Sequence, residues 1–204
     1  MTPPYRIVTE RLVLRCWDPH DAPLLKDAVD SSIEHLLPWM PWAANEPQSL
    51  EEKVELLRQF RGKFDLGQDF TYGIFNRDEA DVVGGTGLHT RVGPGAYEIG
   101  YWIRLDRTGE GLATESATAL TRAAFELSEI DRIEIRCDPG NERSRAIPRK
   151  LGYTEEVTLR RRSHHHHPEP RDVVIYSLFR EDFASSPAAS LTLEAYDAAG
   201  TRIL

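Results

Sequence analysis

The segment Asp106-Arg107-Thr108-Gly109-Glu110-Gly111-Leu112-Ala113-Thr114 sets two glycines two residues apart, between a strand-like run and a helix-like run. Glycine lets a backbone turn tightly and approach a ligand closely. The first amides of a helix have no partner within it and point outward at the positive end of the helix dipole. The amides from Thr108 to Thr114, with Arg107 beside them, would form a cradle for a pyrophosphate. A tight turn with a glycine-rich cap is the other reading of the same residues. Two commoner phosphate motifs fail: the third glycine of GxGxxG is Thr114 here, and no Gly-Lys-Ser/Thr follows.

The strand-like run before the cradle, residues 96–105, alternates. Tyr97, Ile99, Tyr101, Ile103 and Leu105 share one face; Glu98, Gly100, Trp102 and Arg104 share the other. Behind the cradle, Ala113, Ala117, Leu120, Ala124 and Leu127 make the apolar stripe of a long helix. A strand follows over residues 132–137, then the turn Asp138-Pro139-Gly140-Asn141 and a short helix ending at Gly152. Upstream, residues 6–16 read as one strand, and Asp18-Pro19 opens a short helix through Val29. Ser49 and Glu52 form a capping box for a helix carrying Val54, Leu57, Phe60 and Phe64 on one face. Residues 70–75 and 82–90 read as a hairpin, and strands over 153–160 and 172–179 flank a His-rich loop. The run from Leu36 to Trp42 is apolar and aromatic, yet Pro38 and Pro41 break any helix. It reads as a packed loop: a lid over the core, or a substrate-cleft wall bearing Trp39 and Trp42. Strands and helices mixed in this order imply an α+β fold with a mixed sheet.

The chain has 204 residues, 40% apolar and 28% charged, enough for one domain with a real core. With 25 Lys+Arg against 33 Asp+Glu, its net charge of −8 argues against nonspecific DNA binding. No run of about 18 apolar residues spans a membrane, and the N-terminus shows no signal-peptide stretch. Two cysteines, without CxxC or HExxH, give neither a disulfide scaffold nor a metal site. A cytoplasmic protein is expected.

The run Tyr97-Glu98-Ile99-Gly100-Tyr101-Trp102, the glycine turn, Ala113-Thr114-Glu115, Asn141-x-x-Ser144 and Lys150-Leu151-Gly152-Tyr153 together resemble the GCN5-related N-acetyltransferase (GNAT) superfamily. More narrowly they resemble its branch that acetylates ribosomal-protein N-termini, RimJ and RimL. The opening Thr9-Glu10-Arg11-Leu12-Val13-Leu14-Arg15 and Arg171-Asp172 fit that branch as well. The resemblance covers residues 6–183. It implies a mostly antiparallel twisted sheet, flanked by helices, with a splayed central strand pair. It also implies acetyl-CoA as co-substrate, its pyrophosphate on Arg107, Thr108, Gly109, Glu110, Gly111, Leu112, Ala113 and Thr114. Asp106 stands where the family's motif has Gln or Arg, and Arg107 next door could supply the charge. The pantetheine arm would pair with the strand at Tyr101, Trp102 and Ile103, where a backbone amide near Trp102 or Ile103 holds the thioester carbonyl. Asn141 would contact the pantetheine or cap the short helix.

The implied chemistry is amine attack on a thioester, which needs a neutral amine. Glu98, on the polar strand face beside Gly100 and Trp102, is the expected general base, acting through water; its other reading is a solvated or ion-paired strand glutamate. Many superfamily members carry a tyrosine seven residues after the motif asparagine. Pro148 stands there, so the resemblance gives the leaving thiolate to Ser144, whose other reading is a helix-cap serine. Pro148 is tolerable if it lies in a first helical turn. Cys137 reads as a small buried thiol, His89 as structural, and His164 to His167 beside Arg160 to Arg162 as an exposed loop.

The function expected is direct acetyl transfer to a primary amine, on a protein N-terminus or a small molecule. A CoA-binding module without turnover is the rival from another class, and an RNA-associated protein using the Arg/His loop a third. Residues 1–183 form the expected catalytic domain, 184–190 a linker, and 191–204 a hairpin-like extension. That extension and the edge strands suggest a homodimer.

Overall fold

The computed structural model describes residues 3–163 and 170–204. The His164 to His167 run lies outside the described residues. Nine strands form one sheet: β1 (Arg6–Val8), β2 (Leu12–Cys16), β3 (Phe70–Asn76), β4 (Val82–His89), β5 (Ala96–Ile103), β6 (Arg132–Cys137), β7 (Thr154–Ser163), β8 (Arg171–Phe179) and β9 (Glu194–Tyr196). Their spatial order is β7-β8-β6-β5-β4-β3-β2-β1-β9. Every neighbouring pair is antiparallel except β5 with β6. That one parallel contact joins strands separated by the long helix, as a parallel pair requires.

The helices are α1 (Ala22–Asp30), α2 (Ile33–Leu36), α3 (Leu50–Asp65), α4 (Leu112–Leu127), α5 (Glu142–Lys150) and α6 (Arg180–Phe183). The capping box at Ser49 is present: Ser49 N donates to Glu52 Oε2 at 2.7 Å and Glu52 N to Ser49 Oγ at 3.2 Å. The stripe residues Ala117, Leu120, Ala124 and Leu127 of α4 are buried against one sheet face, with Ile99, Ile133 and Tyr176. A second core, around Trp17, Leu25, Leu57 and Phe75, fills the other face. Among the described residues, no helix is long and apolar enough to cross a membrane.

Three local expectations are corrected. Residues 6–16 are a hairpin, not one strand. Thr9 turns the chain: its amide donates to Leu12 O at 3.0 Å, and Leu12 N donates to its hydroxyl at 3.1 Å. The strand from Ala96 ends at Ile103, and Leu105 is 48% exposed in a short 3-10 turn. Pro148 lies in the second half of α5 rather than its first turn.

Residues 187–190 form a 3-10 turn that buries Ala188 completely. Beyond it, β9 pairs with β1, and Ala195 exchanges backbone hydrogen bonds with Ile203 and Leu204, so the chain's end folds onto its own sheet.

Candidate active site

The glycine segment joins β5 to α4. Gly109 and Gly111 have φ of +86° and +80°, conformations that L side chains rarely adopt, and Gly111 is the N-cap of α4 with no side-chain cap. The Thr108 amide already donates to Leu105 O at 3.3 Å, so the amides free to meet an anion begin after it. Arg107 is paired with Glu110 at 2.9 Å. Sequence reasoning missed Arg11. From the β1–β2 turn it donates to Glu110 O at 2.9 Å and to Glu115 Oε2 at 2.7 Å, while Thr9 Oγ1 donates to Glu115 Oε1 at 2.7 Å. The Thr9-Glu10-Arg11 motif thus pins a hairpin against the cradle.

Beyond the cradle lies the splay. Strands β5 and β6 pair only over Ala96–Glu98 with Arg132–Glu134, and the remaining residues of both strands diverge. Two side chains meet in the gap. The Tyr101 hydroxyl lies 3.2 Å from Ser144 Oγ and donates to Ser144 O at 3.1 Å. That carbonyl is four residues before Pro148, which has no amide to offer it. Tyr101 supplies the missing hydrogen bond, and this is how α5 accommodates a proline in its interior. Burial pushes the Tyr101 phenol well above its ordinary pKa, so it stays protonated. Asn141 caps α5, its Oδ1 accepting from Ser144 N at 3.1 Å. The Ser144 hydroxyl is therefore not the cap and is left beside Tyr101. Cys137 ends β6 nearby; burial pushes its thiol up to about 11.

The polar face of β5 forms the floor of a cavity of about 880 Å³. The cavity brings together Glu98, Tyr101, Trp102, Asn141, Ser144, Trp39 and Trp42, whereas Ile103 and the cradle residues Arg107 to Thr114 do not line it. Glycines open its floor. A Cβ on Gly85 would come within 2.5 Å of Trp102 Nε1, so a side chain there would displace the indole. Trp102 meets Trp42 edge-on at 5.7 Å. Arg171 lies over Trp39 at 5.2 Å and pairs with Asp138 at 2.6 Å. Pro38 to Trp42 of the aromatic run line this cavity, and Trp42 also packs on the second core.

Glu98 is 6% exposed and ion-paired. Arg91 Nε donates to its Oε2 at 3.0 Å, Arg91 Nη2 bonds its Oε1, and Arg136 Nε stands 3.8 Å away. Opposite Glu98 on β4 is His89, whose Nδ1 is 3.0 Å from Asp69 Oδ1. Burial works to raise the Asp69 pKa, but hydrogen bonds from His89 and Thr71 and the nearby Arg91 guanidinium outweigh it and hold the carboxyl below its usual range. Asp69, His89 and Arg91 had no signal as single residues. A hairpin register setting His89 against Glu98 could have gathered them.

The model of the acetyltransferase (GNAT) domain family matches residues 11–154. The [ribosomal protein uS5]-alanine N-acetyltransferase of Escherichia coli is 29% identical over 160 residues, covering 76% of this chain and 80% of its own. YdaF of Bacillus subtilis, named as a candidate ribosomal N-acetyltransferase, is 29% identical over 182 residues, 86% of this chain and 95% of its own. Among solved structures, Mycobacterium smegmatis RimJ in complex with CoA-disulfide has a TM-score of 0.82 at 24% identity, covering 92% of this chain and 94% of its own. At that identity the likeness concerns the fold.

Proposed function

The chain belongs to the GNAT acetyltransferase family, and from that premise we propose that it moves an acetyl group from acetyl-CoA to the α-amine of a protein N-terminus. The observation that carries this is the continuity of the site. One cavity runs from the splayed β5–β6 gap, with Tyr101 and Ser144 at its edge, to an acceptor pocket walled by Trp39 and Trp42. The positive-φ turn at Gly109 and Gly111 and the unpaired amides behind it suit a pyrophosphate, and the gap suits an extended pantetheine arm. Relatives named for acetylating ribosomal proteins favour a peptide acceptor over a small amine. The reading is of a cytoplasmic enzyme with no role on DNA, in keeping with a net charge of −8.

Acetyl-CoA brings the thioester that the amine attacks. Ser144, held by Tyr101 and Asn141, offers the leaving sulfur a hydrogen bond. Glu98 and His89 face the acceptor side of the cavity, where the ammonium proton must go.

Calorimetric titration with acetyl-CoA, followed by thiol release with a peptide beginning in alanine, tests the proposal. Binding is expected for the wild type and lost in Gly111→Val. Thiol release is expected with the free N-terminus and not with the same peptide blocked. Binding without release on any amine would make this a CoA-binding module instead.

A further inference from the structure

We propose that His89, oriented by Asp69, is the base that takes the proton from the acceptor ammonium group. This rests on the function proposed above and names the proton acceptor of that reaction.

His89 and Glu98 face each other across β4 and β5, and both line the cavity. They differ in what their polar atoms are doing. Glu98 is held in a bidentate pair by Arg91, with Arg136 close to the same oxygen. Its charge is matched and its lone pairs face guanidinium groups. The His89 ring has one hydrogen-bonded nitrogen. Nδ1 lies 3.0 and 3.1 Å from the two Asp69 oxygens, and Asp69 is the ring's hydrogen-bond partner among the described residues. An ionised carboxylate can only accept. Nδ1 therefore carries the hydrogen, and the neutral ring keeps its lone pair on Nε2.

The ring lines the cavity, its side chain 17% exposed, with that nitrogen lying over glycine backbone. A Cβ on Gly87 would stand 2.7 Å from Nε2, and one on Gly100 3.5 Å from it. Glycine at these two positions is what gives the ring its place. Gly100 directly precedes Tyr101, whose hydroxyl reaches Ser144. His89, Tyr101 and Ser144 all line the one cavity, so the ring and the group that meets the leaving sulfur face the same space. Beside the ring in the cavity stand the charged groups Arg91, from the turn after β4, Glu98 on β5 and Arg136 on β6.

An α-amine with a pKa of about 8 reaches the site mostly as R–NH3+ at neutral pH. One proton moves to Nε2, leaving R–NH2 and an imidazolium balanced by Asp69. The nitrogen lone pair forms the C–N bond to the acetyl carbon as the C–S bond breaks. The sulfur takes the electron pair, and a second proton from the same nitrogen reaches it through the Ser144 hydroxyl. The imidazolium returns its proton to water. The products are the acetylated amine, the free thiol and one proton.

The experiment compares wild type, His89→Gln, Asp69→Asn and Glu98→Gln, each checked for folding by its thermal melt. Thiol release with the alanine-initial peptide is followed across pH. His89→Gln is expected to lose about 100-fold or more in kcat at neutral pH, the range of general-base catalysis. Its acetyl-CoA affinity should stay at the wild-type value, and the acid limb of the kcat/KM profile should disappear. Glu98→Gln should keep that limb. Asp69 is a positioning residue: Asp69→Asn should keep a displaced limb and change the His89 tautomer, read by 15N shifts of the ring and assigned by their absence in His89→Gln. In the wild type those shifts should report hydrogen on Nδ1. An acid limb intact in His89→Gln, or hydrogen on Nε2 in the neutral wild-type ring, overturns the assignment to His89. A wild type that binds acetyl-CoA but releases no thiol with any amine overturns the proposed function itself, and the base with it.

Discussion

Lys53 on α3 and Glu46 form an ion pair inside the wall of the cleft, their side chains only 1% and 3% exposed. The second Glu46 oxygen accepts from Gln48 N at 3.0 Å, and Lys26 Nζ donates to Gln48 O at 2.8 Å. These bonds tie the segment after the Pro41–Asn45 turn to α1 and α3, and that turn carries Trp42 against Trp102. Lys53→Met removes the cation and leaves a buried carboxylate without its counter-charge. Such a loss costs about 3–5 kcal/mol. For a chain of this length each kcal/mol moves the melting temperature by about 2–4 °C, so the fall should be on the order of 6–20 °C. Removing both charges in Lys53→Met/Glu46→Gln should recover most of it, because a whole buried pair is often replaceable without net loss. Urea unfolding of the four corners of the cycle measures both terms. The wall should also loosen in the single variant, raising KM for the peptide and leaving acetyl-CoA affinity unchanged. A single variant within about 1 kcal/mol of wild type, or a double variant no more stable than the single, would refute this account of the wall.

Ser144→Ala should lower kcat by about 10–100-fold, the scale of one hydrogen bond to a charged group, without changing the unfolding midpoint, because Asn141 caps α5; a lower midpoint with kcat intact would return Ser144 to a structural role. Burial pushes Cys16 and Tyr5 up to about 12 and Cys137 up to about 11, so above about pH 8.5 the unfolded thiols release protons that the folded chain still holds. The stability tied to these groups is complete below that pH and is lost as pH climbs toward 11–12. Melting temperatures should fall between about pH 9 and 11, and fall less in Cys16→Ala/Cys137→Ala; equal slopes would remove the thiols from the explanation.

The parts of the fold that were legible depend on neighbours in sequence. The capping box at Ser49, the apolar stripe of α4 and the alternation of β5 are local patterns, and all three stand in the structure. The hairpin of residues 6–16 escaped although its turn, Thr9 with Leu12, is local; what holds it in place is Thr9 and Arg11 bonding to Glu115, more than a hundred residues away. The site divides in the same way. Gly109 and Gly111 are legible from their spacing in a turn and Ser144 from the resemblance, and the geometry of a tight turn survives folding nearly unchanged. An ion pair is one of the two readings of Glu98, but its partners are not legible, because they come from a turn and from a different strand. Residue type alone placed Glu98 and His89; what each is bonded to, Arg91 in one case and Asp69 in the other, comes from the fold. Proton affinity is a property of such neighbours rather than of residue type. The choice between His89 and Glu98 therefore turns on the β4–β5 register, which sets them opposite each other and lets Arg91 reach only one of them.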